Sequence, residues 1–150
     1  MRVGEVCIRS VVTCLPDASA ADVAALMRER HVGAVIVVEP AHDRGPRPLG
    51  IVTDRDLVLE VMAKGVDPAT VKAGDLLVAT LDTANECESV YDAVWHMRGK
   101  RIRRLPVVDD HGALVGVLSA DDAARVLAEA MVDLTRMVPQ QIERERSERP

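Results

Sequence analysis

An internal repeat constrains this chain more than any other feature. Gly4–Glu39 aligns with Gly74–Asp109 at an offset of 70 residues, and identical residues fall at matching points of the two copies. Such self-similarity indicates that one supersecondary unit occurs twice in the chain. The identical pairs are Gly4/Gly74, Thr13/Thr83, Ser19/Ser89, Asp22/Asp92, Met27/Met97, Arg28/Arg98, Val37/Val107 and Val38/Val108.

The repeat continues beyond a loop that differs in length between the copies. After Glu39 the offset falls from 70 to 66, so that Gly50 aligns with Gly116. The change lies within Pro40–Pro48, which is rich in Pro and Gly, and a longer hairpin loop in the first copy accounts for it. We place the two repeats at 4–66 and 74–131, followed by a helical extension and tail at 132–150.

Each copy predicts the order strand, helix, strand, strand, helix, which is an α/β (α+β) fold. Ser19 with Asp22, and Ser89 with Asp92, have the spacing of capping boxes that open the first helix of each copy. The nearly continuous apolar run Val32–Val38 is typical of a strand buried on both faces. The other predicted strands are Val11–Cys14, Leu49–Thr53, Ile102–Val108 and Leu114–Ser119, and the closing helices are Asp54–Ala63 and a longer one from Ala120.

Composition excludes several classes of protein. With 48% hydrophobic residues the chain can bury a core, but its longest apolar run is far short of the roughly 18 residues of a membrane helix. The N-terminus lacks the apolar region of a signal peptide, so we expect a soluble, cytoplasmic protein. A net charge of −5, with one Trp and one Tyr, argues against a nucleic-acid-binding protein.

Neither a catalytic site nor a metal site is predicted. The histidines have no ligand-like spacing, and the odd number of cysteines, without Cys-x-x-Cys, favours reduced thiols. The sequence does not indicate whether any of these thiols has a redox role. The residues concerned are His31, His42, His96 and His111, and Cys7, Cys14 and Cys87.

The most informative motif follows the third strand of each copy. The segment 50–56 reads Gly-Ile-Val-Thr-Asp-Arg-Asp, and 116–122 reads Gly-Val-Leu-Ser-Ala-Asp-Asp. A hydroxyl followed three residues later by Asp is a capping box for the next helix. The same geometry also suits a ligand, because a helix N-terminus attracts phosphate and a carboxylate can accept hydrogen bonds from a ribose diol. Both interpretations remain open at this stage.

With these motifs and Arg104-Leu-Pro-Val-Val-Asp109, the repeat resembles a tandem pair of CBS domains, the Bateman module. The resemblance extends over nearly all of the chain before the C-terminal tail. It implies two repeats packed as a pseudo-twofold pair, with clefts between them that bind an adenosyl ligand: AMP, ADP, ATP, NAD(H) or S-adenosylmethionine. It also implies a homodimer.

The resemblance carries site residues over position by position. It implies that Thr53 and Asp56, and in the second copy Ser119 and Asp122, bind the ribose, and that Arg55 contacts phosphate. First-strand and second-strand residues would lie near the adenine. These are Thr13, Thr83, Ala34, Val35, Arg104, Leu105 and Pro106.

The copies differ where the ligand would bind. Ala120-Asp121 replaces Asp54-Arg55, so the second half-site lacks the arginine, and two equivalent sites are not expected. Five basic residues within Arg98–Arg104 fit a solvated helix end, a phosphate contact or a nucleic-acid patch. Trp95 is assigned to a core or a dimer interface.

We therefore expect a ligand-binding regulatory module, not an enzyme, that acts by population shift on an unidentified effector protein. One alternative is a nucleic-acid-binding protein that uses the basic cluster. Another is a ligand-free dimeric scaffold whose apolar stripe Leu127–Val138 packs in the core or docks a partner. A membrane partner is not expected.

Overall fold

Two three-stranded sheets and their flanking helices form the protein. The computed structural model describes residues 1–40, 45–78 and 80–148, with the backbone alone for 138–143 and 145–148. In each sheet the short first strand runs parallel to the central strand, and the third strand runs antiparallel to it. The first sheet contains β1 (Thr13–Cys14), β2 (Ala34–Val38) and β3 (Pro48–Thr53), and the second contains β4 (Ala84–Asn85), β5 (Arg104–Val108) and β6 (Leu114–Ser119).

The helices follow the predicted order, with short additions. Those before β1 and before β4 are new: α1 (Val3–Val6) and a 3₁₀ helix (Ala73–Leu76). The others are α2 (Ala20–Arg30), α3 (Asp54–Asp56, continued as a π-helical segment over Leu57–Met62), α4 (Val90–Lys100) and α5 (Ala120–Glu148). The predicted α/β fold of two like repeats is therefore confirmed.

Left-handed residues end α2 and α4 at equivalent points. His31 has φ 53° and Arg101 has φ 58°, and each stands directly after the last helical residue. The residues that follow each left-handed residue turn the chain away from the helix axis. For this reason β2 begins only at Ala34 and β5 only at Arg104. The predicted strand starts at Val32 and Ile102 were two residues too early.

The predicted helix caps are only partly correct. In α2, Ser19 and Asp22 form the reciprocal capping box. In α4 the Ser89 hydroxyl accepts a hydrogen bond from the Tyr91 N–H at 3.2 Å instead, which gives a one-sided cap without the predicted box to Asp92.

The N-terminal segment of each repeat packs into the core of the other repeat. Val3 of α1 is buried in the core of the second repeat, and the Gly4 N–H donates to the Glu86 carbonyl at 2.9 Å. Symmetrically, Ala73 is buried in the core of the first repeat, and the Gly74 N–H donates to the Pro16 carbonyl at 2.9 Å. The two repeats are thereby interlocked along the chain.

The central strands bury both of their faces. Val35 and Val37 point into the first core, and because side chains alternate along a strand, Ile36 points the other way. Ile36 is nevertheless only 2% exposed, and its repeat equivalent Pro106 is fully buried. The second repeat covers this face, so the sheets pack against each other as the pseudo-twofold pair that the sequence predicted.

The C-terminal part of the chain agrees only in part with its prediction. In the helical extension and tail predicted at 132–150, the backbone is helical as far as Glu148, because Gln, Glu and Arg favour helix. The stripe Leu127–Val138, predicted to pack in the core or to dock a partner, exposes Met131 and Leu134, so core packing is excluded for these two residues. The Val138 side chain lies outside the described residues. The predicted longer loop at Pro40–Pro48 also lies partly outside them. In the described part of the chain, no helix is both long and apolar enough to cross a bilayer.

Candidate ligand clefts between the repeats

A large cleft, here called cleft 1, opens where β3 meets α3. Its volume is about 600 Å³, and both repeats line it. The first repeat contributes the end of its third strand and the start of the following helix, and the second contributes the segment before β4 and the start of β5. The lining residues are Ile51, Thr53, Asp54, Arg55, Asp56, Val78, Thr80, Leu81, Asp82, Arg101, Ile102, Arg103 and Arg104.

A smaller cleft, cleft 2, has a volume of about 220 Å³. Most of its lining residues are repeat equivalents of those in cleft 1, so the pseudo-twofold packing produces both. They are Ile8, Ser10, Val11, Val12, Val32, Gly33, Ala34, Ile36, Arg104, Val117, Ser119, Asp121 and Asp122.

Thr53 and Asp56 cap α3 at the floor of cleft 1. The Thr53 hydroxyl accepts from the Asp56 N–H at 3.2 Å, and both the Thr53 N–H and hydroxyl donate to Asp56 Oδ2 at 2.7 Å. Two of these three bonds end on the same carboxylate oxygen, Oδ2. The structure thus has the capping box, and it places the same carboxylate at the cleft.

Ser119 and Asp122 repeat this arrangement in cleft 2. The Asp122 N–H donates to the Ser119 hydroxyl at 3.1 Å, and that hydroxyl donates to the Asp122 carboxylate. Both pairs are half-buried, so each carboxylate remains accessible from its cleft.

Arginines make cleft 1 attractive to anions. Arg55, Arg101 and Arg104 line it, and the structure gives their guanidinium groups no hydrogen-bond or ion-pair partner among the described residues. Arg103 also lines cleft 1, and its guanidinium donates to Asp121 at 3.0 Å. Three of the five residues in the basic cluster therefore face a cleft; of the remaining two, Arg98 lies 5.0 Å from the Trp95 ring centroid.

The fifth basic residue, Lys100, belongs to a cluster on the wall of cleft 1. Asp82 Oδ1 is 3.0 Å from His96 Nε2 and 3.0 Å from Lys100 Nζ. These two hydrogen bonds, that of His96 first, hold the pKa of Asp82 below its usual range. Asp82 is thereby fixed as a carboxylate at the cleft, and the equivalent residue in cleft 2 is the apolar Val12.

A proline changes the backbone beside Asp82. In the first repeat the Ile36 N–H donates to the Val12 carbonyl at 3.0 Å. At the equivalent position the second repeat has Pro106, which has no N–H. The Asp82 carbonyl therefore lacks this donor and can accept a hydrogen bond from another group.

The predicted site residues are not all brought together. Thr53, Arg55, Asp56 and Arg104 line cleft 1, and Ala34, Arg104, Ser119 and Asp122 line cleft 2. Thr13 lines a third cavity beside α2, and Thr83 precedes β4 instead of lying within it. The side chains of Val35, Leu105 and Pro106 are buried, so only their backbone atoms are available to a ligand.

Sequence reasoning did not identify the segment before each first strand as part of the site. Thr80–Asp82 lines cleft 1, and Ser10–Val12 lines cleft 2. Their shared position in the repeats could have identified them. Each segment follows the short helix that packs into the opposite repeat, and so each must run between the repeats. Of the two places predicted for Trp95, the core is excluded, since its side chain is 52% exposed and packs edge-on against Tyr91. The dimer interface stays a prediction.

Comparison with known proteins identifies the class. The CBS domain family model matches residues 3–63 and again residues 58–129. The two matches together extend over most of the chain and correspond to the two sheets. The chain belongs to the CBS-domain family and carries a tandem pair of these domains.

Individual relatives match most of the chain. Hypoxic response protein 1 of Mycobacterium tuberculosis is 33% identical over 129 residues, which are 85% of this chain and 87% of that protein. The uncharacterized protein MK0525 of Methanopyrus kandleri is 40% identical over 124 residues, 83% of this chain but only 61% of its own length. This chain thus spans about three-fifths of that relative.

A solved structure with a bound nucleotide has the same fold. The CBS domain protein PAE2072 from Pyrobaculum aerophilum, complexed with AMP, superposes with a TM-score of 0.70 at 29% identity. The match covers 81% of this chain and 89% of that one.

Proposed function

We propose that this chain is a regulatory module, not an enzyme, that binds an adenosyl ligand between its repeats, with cleft 1 as the site for a phosphorylated one. The observation that carries the proposal is the juxtaposition of the Thr53–Asp56 pair with Arg55, Arg101 and Arg104. Guanidinium groups pair with phosphate, and a carboxylate can accept hydrogen bonds from a ribose diol. AMP in the related PAE2072 structure supports this ligand class.

The same cleft supplies acceptors for the base. The Asp82 carbonyl lacks the donor that its equivalent has, and the Asp82 carboxylate is held on the adjoining wall. An exocyclic amino group, as on adenine, donates to such acceptors. AMP, ADP, ATP and NAD(H) all combine this group with phosphate, and cleft 1 does not by itself select among them.

Ligand binding would act by shifting the population of the chain between two conformations. A ligand held by both repeats favours the arrangement of repeats or subunits in which its contacts are complete. The readout by an effector protein, the homodimer and the cytoplasmic location are predictions of the same proposal. The nucleic-acid alternative is less favoured because Lys100 is paired with Asp82 and three arginines of the basic cluster line cleft 1.

A thermal-unfolding screen against AMP, ADP, ATP, NAD, NADH and S-adenosylmethionine tests the proposal. A ligand at 100 times its Kd adds about 2.7 kcal/mol, which raises the Tm of a chain this long by about 5–10 °C. We expect Asp56→Asn to abolish the shift caused by a phosphorylated ligand.

The matched control is Asp22→Asn. Asp22 forms the same capping box with Ser19 in α2 but lines neither cleft. Both substitutions remove the carboxylate of a capping box and so weaken a helix N-terminus in the same way. Only Asp56→Asn should therefore lose the ligand-induced shift. No shift with any of the six compounds, or an equal loss in both variants, would reject the proposal.

A further inference from the structure

The two clefts differ in charge at symmetric positions. Arg55 lines cleft 1, and the residue at the equivalent position, Asp121, lines cleft 2. Among the described residues that line cleft 2, Arg104 is the only arginine, and two carboxylates, Asp121 and Asp122, share that lining. At this position the second repeat therefore has an anion where the first has a cation.

The ion pair of Asp121 does not remove this difference. Arg103 donates to Asp121 at 3.0 Å, but the two side chains are 74% and 78% exposed. Pairs this exposed are weak, because water screens them and long side chains lose freedom in forming them. The Asp121 carboxylate thus remains a source of negative potential at cleft 2.

We propose that cleft 2 excludes phosphorylated ligands and accepts an uncharged or cationic adenosyl compound, with Asp121 as the residue that sets this selectivity. The inference rests on the proposed function, since it assigns a ligand class to the second of the two clefts. Ser119 and Asp122 supply the same hydroxyl and carboxylate as in cleft 1. A phosphate would meet Asp121 where cleft 1 offers Arg55, whereas a cationic group would be attracted there.

The size of cleft 2 agrees with this assignment. Its volume is about 220 Å³, against about 600 Å³ for cleft 1. A nucleoside with a small substituent needs less room than a nucleotide with its phosphates. Size and charge therefore favour the same class of ligand.

Titration calorimetry on the full chain tests the inference, with AMP as the anionic probe and 5′-methylthioadenosine as the uncharged one. We expect wild type to bind one AMP per chain, and to bind 5′-methylthioadenosine when AMP is saturating. Asp121→Arg should bind a second AMP at least tenfold more tightly than wild type does. Asp56→Asn should remove the first AMP and retain 5′-methylthioadenosine.

The matched control is Asp133→Arg, which makes the same charge change. The Asp133 side chain is also 78% exposed, on α5, and lines neither cleft. It should leave AMP binding at one per chain. If Asp121→Arg fails to fold, Asp121→Asn should still strengthen the second AMP, by a smaller factor.

Two results would overturn the inference alone: wild type that binds two AMP equally well, or folded Asp121 variants that bind AMP as wild type does. Absence of AMP and 5′-methylthioadenosine binding in every protein would instead reject the proposed function, and this inference with it.

Discussion

Single substitutions at symmetric positions make the two clefts chemically different. Val12 corresponds to Asp82, Ala34 to Arg104, and Arg55 to Asp121. Asp82 is the best anchored of these residues, because His96 and Lys100 both bind its Oδ1 atom. The backbone symmetry of the repeats is thus retained while the chemistry of each cleft is set by a few side chains.

Asp82 should contribute to stability in a pH-dependent way. Its pKa is lowered in the folded chain, so its contribution is complete above the ordinary aspartate pKa of about 3.9 and is lost as the pH falls through the lower, folded value. We expect Asp82→Asn to be less stable than wild type at pH 7 and to lose less stability on acidification below about pH 4. Urea unfolding at a series of pH values measures both effects. Parallel curves for the two proteins would contradict this role.

The site residues could be predicted from sequence only where a local motif defines them. Thr53–Asp56 and Ser119–Asp122 were found because a hydroxyl and an Asp at this spacing mark a strand entering a helix. Asp82 could not be found in this way, since its partners lie on α4 and its cleft position depends on tertiary packing. Val35 and Leu105 were expected to lie near the adenine through their backbone, and this stays a prediction, since strand alternation directs both side chains into the cores.

At the scale of elements, the glycines of the β3 and β6 motifs have a packing role. An added Cβ on Gly50 would lie 2.5 Å from Leu77 Cδ2, and one on Gly116 would lie 2.6 Å from Cys7 Sγ. Cys7 and Leu77 are equivalent residues that immediately follow α1 and the 3₁₀ helix. The motif glycines therefore allow each interlocked segment to pass close to the opposite sheet.

Substitution of these glycines should destabilise the fold. We expect Gly116→Ala to cost about 1–3 kcal/mol, because Cys7 and the adjoining Ile8 carbonyl, 3.1 Å from the added Cβ, must move. Gly50→Ala should cost less when combined with Leu77→Ala than the two single changes together. Gly99→Ala is the control. Gly99 lies in α4, and nothing lies within 4 Å of a Cβ added there. Because alanine favours helix over glycine, this change should stabilise the fold by about 0.5–1 kcal/mol. Equal unfolding midpoints for Gly116→Ala and Gly99→Ala would refute this account.

The elements were largely predictable, and their exchange between repeats was not. β6 has its predicted bounds, and α2 has its predicted cap, because alternation and capping are local signals. The placement of Val3 in the second core and of Ala73 in the first depends on contacts distant in sequence. A segment as short as Val3–Val6, with two valines, carries no local sign of which core it joins.

At the scale of the whole molecule, interlocking makes the repeats depend on each other. Each core contains a residue from the leading segment of the other repeat, and each cleft is lined from both sides. Thr53–Asp56 and Thr80–Asp82 line cleft 1 from opposite repeats, so we expect a ligand that fills the cleft to contact both. Binding that stabilises this arrangement stabilises both repeats, which provides a physical route from occupancy to regulation.

An amide-resolved NMR titration of the full chain with AMP tests most directly whether a nucleotide binds between the repeats. We expect the largest shifts to fall together at Thr53–Asp56 of the first repeat and at Thr80–Asp82 and Arg101–Arg104 of the second, with one common Kd. Shifts confined to one repeat, shifts at surfaces outside cleft 1, or no shifts at millimolar AMP would contradict a nucleotide site between the repeats.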